Sequence, residues 1–543
     1  MQSRVSHNSH KSLTSVIRTF FACLFALVTF APIAAAGDFV DTRLSFVFSD
    51  DNLLSDPGES LINSPEIDFG ARQGVFFPFE NLNSQDDGDE TLTHLVLYKE
   101  MPGFIKNLTT DAAFVARLAV LTEPENGFAA GDIKLKDDGS YIRARYSFTD
   151  VEVDSQTGHT KDSARQLELV FYPTNADRFR AGYTYDLSWA GNKIFTQQKS
   201  QFATPGFRLK FDWDGFYVYA GAKSTREIII TEDNDAVANR ELGAFWGGLF
   251  GVGYIGHMFG IEANGAFFDS GTNPKQGVQG KEVYSGGVSA RLSAFSDGFK
   301  PESSIDYRLY RNNDDAFEAS NYFLRKPKNY ESFTWRASIE GNWLTETLAD
   351  FEKLGSTKRI DAFAGAVRAD FYLGKLAINV DFVYRDLYFI LFNVPSLDPY
   401  YALPNDSSTK PELLFAVKGE YWFESTNLLP SIQFGIQKPA SYRGRISETP
   451  NPSELVSGVQ TVAVTDSSTI IAFPSGEEPK EIYSLKLALR WDLSDMLSLI
   501  GTFNYNYDRN QLGRRKDTTN FTAEYYMRDP HVLGLGIFAQ ARF

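Results

Sequence analysis

Six cations of this chain sit two residues apart in three short stretches: Arg143 and Arg145, Arg178 and Arg180, Arg208 and Lys210. A spacing of two places side chains on one face of a β-strand. In each stretch the opposite face is apolar: Ile142, Ala144, Tyr146 and Phe148; Phe179, Ala181, Tyr183, Tyr185 and Leu187; Phe207, Leu209, Phe211 and Trp213. Cations gathered on one wall attract and orient anions. In the later half, the same parity puts Glu340, Asp370, Asp381, Glu412 and Glu420 on polar faces. A cationic wall facing carboxylates across water would make a transverse field that sorts solutes by charge and dipole. The plainer alternative is a mutually paired wall that selects nothing.

Other chemistry finds little support. Beyond residue 36 only His94, His159, His257 and His531 remain, and neither G-x-S-x-G nor H-E-x-x-H occurs. A hydrolase needs a Ser–His or Asp–His pair, and none is evident, so an enzyme is not expected. Gly251-Val252-Gly253-Tyr254-Ile255-Gly256 matches the dinucleotide fingerprint by letters, but it lacks the strand-then-helix context and reads as a tight turn between strands. The acidic pairs Asp50-Asp51, Asp86-Asp87 and Asp137-Asp138 fall in expected loops without the spacing of a calcium-binding loop. No metal or other cofactor is expected. The net charge of −16 disfavours nucleic acid.

The elements that would hold the cations are strands. Phe333–Trp343, Leu376–Tyr384 and Tyr483–Leu493 alternate apolar with polar as cleanly as the three cationic stretches. Similar segments occupy 39–48, 112–121, 216–223, 258–268, 282–294, 359–373, 412–424, 429–438 and 497–507. Most have about the nine to eleven residues that cross a bilayer at a tilt. The polar faces carry charge and the apolar faces are rich in Phe and Tyr, of which there are 46 and 26. That combination suits a wet interior with lipid outside. Short connections such as Asp214-Gly215 and Gly374-Lys375 are expected to alternate with long ones at 188–204, 224–241, 269–281, 312–331, 389–411 and 439–480. The alternation breaks near 122–164 and 344–358. The fold expected is all-β: a transmembrane antiparallel up-and-down barrel of eighteen strands, within a range of sixteen to twenty, with long extracellular loops. Segments 49–90 and 439–480 are long loops or a plug.

Both ends agree. Arg4, Lys11 and Arg18 precede an apolar run through Phe30, and Ala34-Ala35-Ala36 offers a cleavage site, so 1–36 reads as a secretion signal and 37–543 as the barrel. Loss of its three basic residues would take the charge from −16 to −19. The only cysteine, Cys23, would leave with it. In the last twelve residues Leu533, Leu535, Ile537, Ala539, Ala541 and Phe543 share one face; Gly534, Gly536, Gln540 and Arg542 share the other with Phe538. Here the sequence resembles the porin-like outer-membrane β-barrels of Gram-negative bacteria, whose last strand typically ends in Phe as an assembly signal.

The resemblance implies an outer-membrane location, outer-membrane lipid and lipopolysaccharide as surroundings, the barrel-assembly machinery as a partner reading Phe543, and a homo-oligomer or envelope complex as an assembly state. It implies a channel for passive diffusion of small hydrophilic solutes, with the arginine set favouring anions. The alternative is a non-conducting structural or assembly barrel, or an export conduit, for polysaccharide for instance, within a larger envelope machine.

Overall fold

The computed structural model describes residues 41–50, 60–61, 90–102, 105–121, 134–137, 140–152, 163–174, 176, 179, 205–232, 238–273, 277–296, 330–392, 402–405, 407–445, 459–464, 470–472, 477–494, 497–510, 512–516, 523–527 and 529–542. The expected secretion signal at 1–36, Arg178, Arg180 and Phe543 lie outside them.

Alternation builds one closed sheet. Its strands are β1 (Asp41–Asp50), β2 (Glu90–Pro102), β3 (Leu108–Leu121), β4 in two pieces (Lys134–Asp137 and Tyr141–Ser147), β5 (Arg165–Tyr172), β6 (Gly206–Trp213), β7 (Phe216–Glu232), β8 (Ala238–Ile255) and β9 (Phe259–Thr272). The second half has β10 (Glu282–Phe295), β11 (Tyr330–Ala349), β12 (Thr357–Gly374), β13 (Leu376–Arg385), β14 (Glu412–Tyr421), β15 (Leu428–Lys438), β16 (Ile482–Asp492), β17 (Leu497–Tyr507) and β18 (His531–Arg542). Both pieces of β4 pair with β3, so the nineteen pieces of the sheet make eighteen strands. Each strand runs antiparallel to the next, and β1 pairs with β2 on one side and β18 on the other, Leu44 facing both Leu95 and Ala541. The ring has no free edge, as a sheet in lipid requires.

Outside, Leu167, Leu169, Leu209, Ile339, Val367, Leu487 and Leu489 are exposed. Aromatic residues bound this apolar band above and below. At the end that carries the short turns, Tyr146, Phe148, Phe211 and Trp213 form a run of ring contacts, as do Phe333 with Phe371 and Tyr421 with Phe423. At the other end Phe267 stacks with Tyr284, and Tyr483 meets Tyr507. Phe363 and Phe371, or Tyr483 and Trp491, bracket the band on one strand. At ~3.3 Å per residue and a tilt of ~40° they stand about 20 Å apart along the barrel axis, close to the lipid-facing height of such barrels. This is a transmembrane barrel.

Turns are short at one end: 103–107, 214–215, 256–258, 375, 422–427 and 493–496. Asp214 and Gly215 both adopt positive φ, 49° and 91°, the conformation that matches strand twist in a two-residue hairpin. The start of β1 and the end of β18 lie at this end, which is the periplasmic side in barrels of this kind. The strand ends joined by the longer connections 148–164 and 296–329 are also at this end, so the segment expected as a long outer loop at 312–331 runs into β11 from the periplasmic side.

Four sequence expectations are corrected. Segment 179–187 supplies no barrel strand, because β5 pairs directly with β6, Leu169 against Leu209. The strand is 165–172, directly after the stretch 122–164 where the alternation of connections breaks. The expected loop at 224–241 is instead the paired continuation of β7 and β8, with only 233–237 between them. Gly251 and Gly253 are in β8 and not in a turn. Asp137 sits at the break in β4, accepting hydrogen bonds from Ser140 N and Oγ at 2.9 and 2.6 Å.

At the outer end, β14 and β15 continue past Pro411 and Pro439, which have no N–H to give a ladder. Ser408–Lys410 and Ala440–Arg445 then pair as part of a four-stranded sheet with Val459–Val464 and Ile470–Ala472. Ser60–Leu61 pairs with the hairpin Leu512–Lys516/Ala523–Met527. Within the two expected plug segments, Ser60–Leu61, Ala440–Arg445, Val459–Val464 and Ile470–Ala472 thus join small sheets.

Candidate functional site

The candidate site is the inward face of the barrel. Strand parity turns Arg143, Arg145, Arg208 and Lys210 inward, and the structure joins the three arginines through carboxylates on neighbouring strands, while Lys210 pairs along its own strand. Arg143 Nε donates to both oxygens of Asp111 on β3, at 3.1 and 2.9 Å, and its Nη1 donates to Glu168 Oε2 on β5 at 3.3 Å. Arg208 donates to the other oxygen of Glu168. Arg145 lies 3.6 Å from Asp111 and 3.9 Å from Glu100 on β2, and Lys210 pairs with Asp212 at 2.7 Å. One ionic chain therefore crosses β2 to β6. Arg143 and Arg208 are 0% exposed, so this part of the interior is filled and not wet.

Aromatic and apolar side chains close this wall. Tyr98, Tyr141, Val170, Tyr172, Tyr217, Tyr219 and Phe179 belong to one buried cluster inside the barrel. Phe179, expected on lipid, packs against the Tyr219 ring at 6.1 Å between centroids. It fits because Gly221 beneath it has no side chain: a Cβ there would stand 2.6 Å from the Phe179 ring. The residues after β5 thus fold inward at Ala176 and Phe179. Gly251 and Gly253 form a similar floor under Tyr219 and Tyr217, which explains a glycine pattern that only looked like a nucleotide fingerprint.

The chain of polar contacts goes on around the barrel. The Tyr217 hydroxyl donates to Glu262, which pairs with Arg291 at 3.0 Å. Tyr219 donates to Asn264 at 2.9 Å, and Asn264 donates to Ser289 at 3.3 Å. Glu340 is buried and accepts from Asn342 at 3.2 Å. On β11 to β14, Arg336 binds Asp370; Arg368 lies 3.4 Å from Asp370 and 3.8 Å from Asp381; Lys418 pairs with Glu420 at 2.5 Å. Arg385 pairs with Glu412 at 2.8 Å, and Arg490 with Asp492 at 2.7 Å.

The expected division into a cationic wall and an anionic wall is therefore absent among the described residues. Opposite charges alternate within each wall, because neighbouring strands carry them at matching register, as Arg336 to Asp370 and Arg368 to Asp381 do. The two halves differ in wetness instead. Where Arg143 and Arg208 are dry, Arg368 and Lys418 expose 33% and 30% of their side chains to the interior, while their partners Asp370 and Glu420 expose 2% and 8%. On this side cations stand in front and carboxylates behind. Arg368 and Lys418 were missed as site residues. Parity plus charge would have found them beside Asp370 and Glu420.

The outer mouth is narrowed by a feature the sequence pattern did not announce. After β13 a short helix, α1 (Leu387–Phe392), turns into the barrel, and Phe389 is buried with the inward-facing Leu344, Leu348, Ile360 and Ala362. Tyr388 ties it down by accepting, at its hydroxyl oxygen, the Leu403 N–H at 2.7 Å.

No protein-family model matches the chain, and no curated protein matches it in sequence. Among solved structures it is similar to OccAB3 of Acinetobacter baumannii, at 10% identity over 93% of this chain and 99% of that one, with a TM-score of 0.43. It is similar likewise to OpdQ of Pseudomonas aeruginosa (10%, 93% and 97%, 0.41) and to OpdK of Pseudomonas aeruginosa solved with vanillate (9%, 93% and 98%, 0.41). Scores this low carry no weight for function, which must rest on the residues of this barrel.

Proposed function

We propose that this protein is an outer-membrane channel for passive diffusion of small hydrophilic solutes, with local preference for anions. The reading rests chiefly on one observation. Inside a barrel whose outer surface fits lipid, Arg368 and Lys418 are more exposed than any of their carboxylate partners, of which Asp370 and Glu420 are covered. A solute passing β12 to β14 meets donors first, and such a wall favours acceptors and negative charge. Phe543 fits a role as the signal read by the assembly machinery. The filled wall around Arg143, together with α1 in the outer mouth, favours the second reading, a non-conducting barrel or a conduit opened by a partner.

Planar-bilayer recording of the purified barrel tests both. Stepwise ohmic currents are expected, and the double substitution Arg368→Ser with Lys418→Ser should move the reversal potential in a salt gradient toward cation preference. An unchanged potential with intact conductance would refute the anion preference. Silence in both proteins would favour the second reading.

A further inference from the structure

The outer aromatic girdle holds two arginines in an unusual position. Arg359 lies on the outward face of β12, 62% exposed, with its guanidinium 5.5 Å from the Trp343 ring centroid and its Nε donating to Thr345 at 2.7 Å. It also forms a long, exposed ion pair with Asp361 at 3.7 Å. Arg509 follows β17 and lies over the outward ring of Tyr507 at 5.6 Å. Its Nε is buried without a hydrogen-bond partner, and no carboxylate pairs with it among the described residues. The periplasmic girdle is different. There Arg165 stacks on Trp213 at 4.8 Å, but it also donates to Asp214 through Nε and Nη2 at 2.8 and 2.5 Å, which holds that carboxyl below its usual range.

We propose that Arg359 and Arg509 are two binding sites for the phosphate groups of lipid in the outer leaflet. Girdle aromatics sit at headgroup depth, so a cation stacked on one is held level with lipid phosphates. A guanidinium offers planar, paired N–H donors that suit phosphate oxygens. Contact with a ring face restrains the guanidinium without using up its N–H donors. Arg165 spends two N–H groups on Asp214 at 2.8 and 2.5 Å, whereas Arg359 meets its carboxylate only at 3.7 Å and Arg509 is paired with none among the described residues, which leaves the outer pair more donor capacity for an external anion. The inference rests on the reading that the apolar band lies in a membrane.

The test is native mass spectrometry of the barrel in mild detergent with a phosphorylated glycolipid as the probe. Unheated gel migration checks the fold, and flotation with phospholipid vesicles checks insertion separately. Arg359→Gln and Arg509→Gln should each weaken one bound lipid about tenfold, as loss of one charge-assisted contact does. The double variant should lose both lipids, and Arg165→Gln should lose neither. The dephosphorylated glycolipid should not be retained. Full retention by the folded double variant would overturn the proposal, as would equal retention of the dephosphorylated lipid. So would complete displacement by inorganic phosphate, which would mark a site for free anions. A barrel that fails to float would instead refute the membrane reading.

Discussion

Glu168 holds two arginines at once, and all three side chains are buried. Removing one member of such a network leaves the others charged without a partner, a far larger loss than the worth of a surface pair. Glu168→Ala should therefore destabilise the barrel by about 3–5 kcal/mol. Lys375→Ala, which removes a pair whose partner Glu424 is mostly exposed, should be nearly silent. Denaturant midpoints of the refolded barrel would compare them, and equal midpoints would mean that the interior around Glu168 is wet. Parity read from the sequence turned Arg143, Arg145, Arg208 and Lys210 inward. Their partners were not legible in the same way, because Asp111 and Glu168 meet them only through the register of neighbouring strands. One of those strands, β5, had been overlooked.

Among the elements, the amphipathic strands were the easiest to read, and the exceptions have physical reasons. Segment 179–187 alternates as well as β5 does, yet Phe179 is satisfied by a glycine notch inside the barrel and not by lipid. Period alone cannot tell an apolar face that meets lipid from one that meets an inner wall. The outer ends of β7 and β8 looked like loop because a strand pair above the bilayer has no reason to keep one face apolar. In the band itself, outward and inward positions should differ sharply. Leu209→Arg places charge in lipid and should cost roughly 2–4 kcal/mol at mid-depth, whereas Ser338→Arg points into the barrel and should be tolerated. Unfolding in lipid vesicles measures both, and equal losses would mean that the two faces are assigned the wrong way round.

For the molecule as a whole, an antiparallel barrel of about eighteen strands was legible from the many alternating segments, although the alternation of short and long connections breaks twice and one segment was misplaced; the state of the interior was not legible. Whether a lumen is open depends on what the long connections do. Helix α1 and the residues around Phe179 come from segments whose composition gives no sign that they fold inward. They make a barrel with one dry side and one wetter side. Conduction should accordingly respond to α1: Phe389→Ala is expected to raise single-channel conductance by loosening the outer mouth. If the conductance stays the same, the constriction lies elsewhere.

The pairing of β1 with β18 also bears on how the protein comes to be. The two strands that close the ring are separated by nearly the whole chain, so the seam cannot form until the final strand has left the ribosome, and loop closure of that span is slow. Barrel completion must then be post-translational, with the chain kept from aggregating in the meantime. Once formed, a ring of antiparallel strands has no physical first member. A circular permutant that begins after Lys375 and joins residue 542 to residue 41 through a short linker should fold to the same heat-modifiable species. One opened in the middle of β12 should not.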